Sequence, residues 1–444
     1  MTNTFQLHIK PLNQLAVPLI ANSIFGLSIE LIDQAMVGHL SVSAYASVGA
    51  VGNFLYTIAG IVGAIAITLN IYGSKAIGEH RQDKYLNCLS SSLILDLLLG
   101  LSFGVLCFLC KDPLLRTIYG FSGSALRNGT TYLSLMSGYL FLQLVIFTLT
   151  NCLKIKKRTQ WILIVSTTTT LLHTGLNYML IFGKFGFPRL GVSGAALSST
   201  VTLCLDVLIY AFILRKDIQL ALAMHPNKVL FIAGKSLPLM GQELLQGSLF
   251  VIALNAMLAH LSPLVLSGYL LVGQFLQIGL IPAFMYSSAL LTLVSESHGS
   301  GHATDLVDYP KVAAVLTMAL FALAGFLFYE FRVPLAGLIT NNQNLVTYSS
   351  SIFLVLWLAN LFNPLFEIFK AAMQSVGRST YVLIITFIIH AAALILMLIL
   401  TFAFQLGIYG IAISLMIDYL AIFVSLNVSY LKVVQHIEEV RMNG

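Results

Sequence analysis

A carboxylate deep inside a long apolar run needs a reason to be there, because at the centre of a bilayer it costs about 2.5–3.5 kcal/mol on insertion scales. Asp33 is such a group, well inside the apolar segment 12–38. Glu30 precedes it by three residues, and that spacing puts both on one helix face. Two carboxylates so placed share charge, so the pair takes up one proton more readily than an isolated acid, and its oxygens could equally hold a monovalent cation. A second pair, His173 and Asn177, has i,i+4 spacing on one face of a later segment. Imidazole changes charge near neutral pH. Asp96, Asp206, Asp418 and His390 are further ionisable residues inside apolar stretches and read as helix-contact or cavity groups. For each of them the structural alternative is a satisfied polar contact between helices.

The elements that must position these groups are membrane helices. Of 444 residues, 58% are hydrophobic and only 9% charged, and mean hydropathy is +0.90. Soluble chains carry about 25% charged residues, so this chain cannot cover a water-facing surface of its size. Apolar segments lie near 12–38, 47–72, 85–109, 125–152, 160–182, 190–213, 229–259, 263–294, 312–329, 345–369, 380–403 and 407–431. At about 20 residues per span they consume nearly the whole length. The expected fold class is an all-α integral membrane protein, with twelve transmembrane helices in two pseudo-symmetric six-helix lobes.

The net charge of +6 would suit a nucleic-acid ligand, but its distribution has a different explanation. Counted by alternate loops, only Lys111, Arg116, Arg127, Lys184, Arg189 and Arg332 fall on one side, and the remaining seventeen Lys and Arg, Arg441 included, fall on the side of both termini. That asymmetry follows the positive-inside rule and puts both termini in the cytoplasm, with a bacterial inner membrane as the expected location. The start of the chain lacks a signal-peptide layout. Cys107 and Cys110 are three apart, yet small-residue packing explains them better than a redox or metal pair, and no disulfide framework is indicated.

The chain repeats itself. At an offset of 221, His39-Leu40-Ser41 matches His260-Leu261-Ser262, Val51-Gly52 matches Val272-Gly273, Ser74 matches Ser295 and Gly78 matches Gly299. Pro18 and Pro238 are 220 apart. At 216, Leu190-Gly191-x-x-Gly194-x-Ala196-x-Ser198 matches Leu406-Gly407-x-x-Gly410-x-Ala412-x-Ser414. The expected division is an N-terminal lobe over 1–214, a cytoplasmic linker over 215–228 and a C-terminal lobe over 229–444. Six helices per half is an even number, so both halves enter from the same side as a parallel repeat, an arrangement suited to alternating access. Prolines at 18, 238, 282 and 364 are expected to kink their helices.

The segment Ile29–Leu40, with Asp33 fifteen residues after Pro18, and the block Asn177–Ser198 resemble the multidrug and toxic compound extrusion (MATE) transporters, and the likeness spans essentially the whole chain. The resemblance implies a twelve-helix pair of lobes that exports substrates in exchange for protons or sodium. It aligns Asp33 with the family's first-helix cation-binding aspartate, places His173 and Asn177 where the family commonly has Asn-x-x-x-Asn or Asn-x-x-x-Asp, and puts Ser199 where a hydroxyl completes the site. Asn151, in the fourth helix, is a further candidate. His173 departs from the pattern; an imidazole is no usual sodium ligand, which tilts the coupling ion towards protons, with sodium at Asp33 and Asn177 as the alternative. In the second half Gln246 and Asn363 stand where one branch of the family has acids. Glu243 and Glu367 lie one turn away and are expected to take over that role or to line the cavity, unless Glu367 simply pairs with Lys370.

The expected function is therefore ion-coupled antiport of small organic cations by a monomer in the lipid bilayer, with no cofactor, nucleic acid or enzymatic activity. No GxxxxGK[ST], HExxH or GxSxG is present, so nothing points to nucleotide hydrolysis, an intramembrane protease or an esterase. A flippase for lipid-linked precursors is the rival transporter, but it would want basic residues within the spans.

Overall fold

The computed structural model describes residues 2–442, with side chains given for all of these except 2–4, 31 and 441–442; the Arg441 side chain, counted above with the cytoplasmic charges, lies outside them. Among the described residues the regular structure is entirely helical. The spans are α1 (Thr2–Gly38), α2 (Val42–Gly78), α3 (Gln82–Tyr119), α4 (Gly123–Leu135 and Tyr139–Ile155, bent by 46°), α5 (Thr159–Phe182) and α6 (Val192–Ile213) in the first half. The second half has α7 (Val229–Leu261), α8 (Pro263–Ser300), α9 (Ala303–Glu330), α10 (Gln343–Ser375), α11 (Ser379–Ala403) and α12 (Ile408–Met442). Ten of these are long and apolar enough to cross a bilayer, and the bent α4 makes eleven. The twelfth, α5, has the length at 24 residues, but Thr167 to Thr170, His173 and Asn177 dilute its apolarity. The span least suited by its apolarity to lipid is the one carrying polar chemistry.

The longest spans exceed what the sequence suggested. At 38 residues, α3 and α8 are each about 57 Å long, against a hydrocarbon layer of about 30 Å. Their polar ends therefore project past it. Exposed apolar side chains such as Leu106, Leu109 and Ile395 belong to the lipid-facing surface.

Repeated residues do repeated structural jobs. Ser41 and Ser262 cap α2 and α8, each hydroxyl accepting from the backbone N–H three residues on, at 3.1 and 3.2 Å. Gly191 and Gly407 both take left-handed φ, 55° and 56°, ahead of α6 and α12. Gly194 and Gly410 then let those helices close on the preceding one: a Cβ would stand 2.7 Å from the Leu180 carbonyl carbon in one half and 2.8 Å from that of Leu400 in the other.

The prolines behave differently from one another. Pro18 sits inside a helix that continues through it. Pro238 precedes a π-helical turn at Leu245–Leu249 that interrupts α7. Pro364 follows an interruption of α10 at 360–362 and opens its second part, Asn363–Ser375, from the first turn, where a missing N–H costs no hydrogen bond.

Two compact units emerge. Among the described residues, one comprises 2–20, 77–80 and 241–442; the other comprises 21–76 and 81–240. In the first unit a cluster of aromatic rings forms the core, with Trp357 stacked on Phe321 (4.6 Å) and Phe353 (5.5 Å). His8 also packs there, 3.0 Å from Asp305. In the second unit Val51, Leu55, Leu115, Tyr132, Ile181 and Ala195 form the core. The segment 215–228 is structured: the helix Arg215–Leu222 is held by a 2.6 Å ion pair between Asp217 and Lys156, and Asn87 donates to the His225 carbonyl.

Candidate functional site

In the second unit Asp33 of α1 is reached by α5 and α6. The i,i+4 spacing of His173 and Asn177 aims both at the same carboxylate. His173 Nδ1 lies 3.0 Å from Asp33 Oδ2, and Asn177 Nδ2 donates to Asp33 Oδ1 at 2.9 Å. The far side of each group is held by α6: His173 Nε2 is 3.1 Å from Ser199 Oγ, and the Ser198 hydroxyl donates to Asn177 Oδ1. Ser199 also donates to the Ala195 carbonyl at 2.9 Å. The Asp33 and His173 side chains are 23% and 18% exposed, so the pair is sheltered but reachable by a proton.

Two contributors, Ser198 and Tyr132, were not singled out from the sequence, and a third, Asp206, was read there only as a helix-contact or cavity group. Ser198 fixes the orientation of the Asn177 amide. Tyr132, a core residue of α4, places its hydroxyl beside Ser199 and within electrostatic reach of Asp33. Asp206 of α6 accepts from Thr169 at 2.8 Å and lies within range of the charge on His173. Thr169 is one turn before His173, so a single face of α5 serves both acids. Only the polar run of α5 hinted at this.

Two expected members do not join. Glu30 is exposed and accepts from Gln34 at 3.2 Å; a position three residues before Asp33 is turned about 60° away from the α5 contact. Asn151 is buried, but its amide is committed elsewhere, accepting from Asn70 at 2.9 Å and donating to the Phe147 carbonyl.

The other unit holds the second-half candidates. Glu367 and Lys370 form an ion pair at 2.7 Å, with side chains 8% and 15% exposed, and Lys370 also donates to Gln246 Oε1 at 3.3 Å. The pairing alternative for Glu367 is therefore what the geometry contains. Lys370 lies inside α10, not in a loop. Glu243 is exposed on α7, where the charges acting on it are those of Lys370 and Glu367. Asn363 donates to Asn360 at 3.2 Å. Among the described residues no group of three or more His, Cys, Asp or Glu is placed to hold a metal, and the five cysteines are free.

A family model, MatE, matches the chain twice, over residues 18–179 and 238–399, once in each copy of the repeat. The chain is 24% identical over 426 residues to the probable multidrug resistance protein NorM of Thermotoga maritima, covering 92% of this chain and 89% of that one. Its fold is similar to that of a Vibrio cholerae MATE transporter, with a TM-score of 0.85 at 18% identity over 98% of both chains. A MOP superfamily transporter from Pyrococcus furiosus gives 0.85 at 17% identity over 97% of this chain and 96% of that one. A multi-pass helical membrane protein that carries this match in both halves is a transporter, not an enzyme, and the chain belongs to the MatE family.

Proposed function

We propose that the protein exports small organic molecules, chiefly cations, by alternating access driven by protons entering at the Asp33–His173 pair. Its relatives carry multidrug-resistance names, which supports a broad substrate range. The observation that carries the choice of ion is the donor set around Asp33. Both carboxylate oxygens are met by N–H groups, from His173 and Asn177, and the Asn177 oxygen is occupied by Ser198. Hard cations such as sodium want converging oxygens. This site offers them few.

The hydrogen bonds leave a partner for every group in either proton state. With a neutral imidazole, Nδ1–H donates to Asp33 and Ser199 turns its hydroxyl onto Nε2. With an imidazolium, Nε2–H donates to Ser199, whose proton goes to the Ala195 carbonyl. Protonation takes the Asp33–His173 pair from a charge of −1 to zero, which weakens its hold on a cationic substrate. The proton then belongs to the pair rather than to either residue. Both termini are taken to be cytoplasmic, in a bacterial inner membrane, and the working unit to be a monomer.

The test is efflux of a fluorescent cation from proteoliposomes, with pH and sodium gradients imposed separately. A pH gradient alone should drive transport, and Asp33→Asn should abolish it while leaving the protein folded. Transport driven by sodium alone, or undiminished proton-driven transport by the variant, overturns the assignment.

A further inference from the structure

The second half lacks the first half's site. At the repeat offset of 221 Asp33 falls on Leu254, and at 220 His173 falls on Ala393. A different carboxylate–imidazole pair is buried there instead. His390 of α11 holds its Nδ1 2.8 Å from Asp418 Oδ2 and 3.1 Å from Oδ1 of α12, and the side chains are 8% and 0% exposed. The other ring nitrogen, Nε2, is buried with no hydrogen-bond partner. The ring lies against Phe250 of α7, at 4.6 Å between centroids, and against Phe366 of α10, edge-on at 6.5 Å.

A purely structural histidine would be expected to satisfy both nitrogens, because an orphaned buried polar atom is costly. Here one nitrogen is fixed by a carboxylate and the other is left without a partner, in a ring flanked by two phenyl groups. With His390 neutral and Asp418 ionised, the pair carries −1 in a buried setting, and that uncompensated charge is costly away from water. A proton added at Nε2 gives an imidazolium against a carboxylate, net zero, with the positive ring beside a phenyl group that attracts it.

The surrounding charges do not supply that neutralisation. Among groups on the helices packed against α11, Glu367 and Lys370 of α10 neutralise each other at 2.7 Å. Glu243, on α7, is acted on by that same pair. Tyr419 of α12, within reach of Asp418, Glu367 and Tyr269 of α8, is uncharged at neutral pH.

We propose that His390 and Asp418 form a second proton-binding site, belonging to the C-terminal half and loaded once per transport cycle. The proposal rests on the proton-coupled reading above. It makes the protein a two-proton exchanger whose carriers pair the helices differently in the two halves, α5 with α1 in one and its counterpart α11 with α12 in the other.

Two measurements on the purified full-length protein test it. In detergent, with histidine labelled with carbon-13 at Cε1, the resonance missing from His390→Gln identifies His390. It should move as pH is varied, and in Asp418→Asn, where the carboxylate that stabilises the charged ring is gone, that movement should be displaced or lost. In proteoliposomes, protons taken up per cation exported should fall from two to one in His390→Gln and in Asp418→Asn. If either single variant fails to fold, the apolar double variant H390F/D418L gives the same readout. A pH-independent His390 resonance, or an unchanged ratio in the variants, overturns the second site. Asp33→Asn reports on the first site alone, so the two assignments fail separately.

Discussion

Ser199 has one proton and two acceptors for it, the Ala195 carbonyl and His173 Nε2. That competition makes the hydroxyl more than a contact. When the imidazole is charged, Ser199 is the acceptor for its second N–H; when the imidazole is neutral, Ser199 is the donor. In Ser199→Ala the charged form loses a partner worth about 1.5–3 kcal/mol, and the neutral form loses a weaker one of about 1 kcal/mol. The imbalance opposes protonation. The expected result is a folded protein that needs about tenfold more protons at half-maximal efflux, since 1.4 kcal/mol is tenfold. A pH profile unchanged from wild type would reduce Ser199 to packing. At this scale the sequence and its family likeness were informative about Asp33, Asn177 and Ser199, whose types and positions follow the pattern, and about His173, which keeps the position and departs in type. They were silent on Tyr132 and on the range between Asp206 and His173, because those depend on how distant helices are brought together. Glu30 misled: i,i+3 spacing describes a shared side of a helix, not a shared partner.

Helix packing explains why the 190s and 406s repeat so closely. Gly194 and Gly410 are the points where α6 and α12 meet the backbone of the preceding helix, and a side chain there would have to displace a carbonyl group. In the first half the helices so joined are α5 and α6, which carry His173, Asn177, Ser198 and Ser199. Adding a methyl should therefore do two things in Gly194→Ala: cost about 1–3 kcal/mol of packing and loosen the grip on Asp33. Gly410→Ala should cost about as much stability without touching that site. The control is Gly26→Ala, where a Cβ meets nothing within 4 Å. Thermal unfolding in detergent should rank the control above both variants, and equal midpoints for all three would discount the close approach. The repeat was legible in the sequence, but its meaning was not. A string of matching small residues says that two places are alike, and only the backbone distance says that the likeness is a packing constraint. The same limit applies to proline: the sequence marked position 364 as a place where α10 is disturbed, and only the structure shows that the residue opens the second helical part after the interruption at 360–362.

For the whole molecule, under the proton-coupled proposal, the number of protons decides what force can drive export. Composition and loop charge were enough to read a twelve-span membrane protein, because lipid imposes helices on any chain this apolar. Energetics were not legible that way, since they depend on how many sites load per cycle. If one proton enters for each monovalent cation that leaves, no net charge moves, and the membrane potential contributes nothing. If two enter, one positive charge moves inward per turnover, and an interior-negative potential of about 100 mV supplies about 2.3 kcal/mol. That corresponds to a gradient of about 50-fold at 1.4 kcal/mol per tenfold. Proteoliposomes clamped with potassium and valinomycin, with equal pH on both sides, separate the two cases. The wild type should build an outward gradient of a monovalent cation at −100 mV and none at zero potential. His390→Gln, left with the Asp33 site alone, should ignore the potential yet still respond to a pH gradient. A variant that keeps the potential response would mean that the second charge enters elsewhere, whereas a wild type indifferent to potential would mean that it does not enter at all.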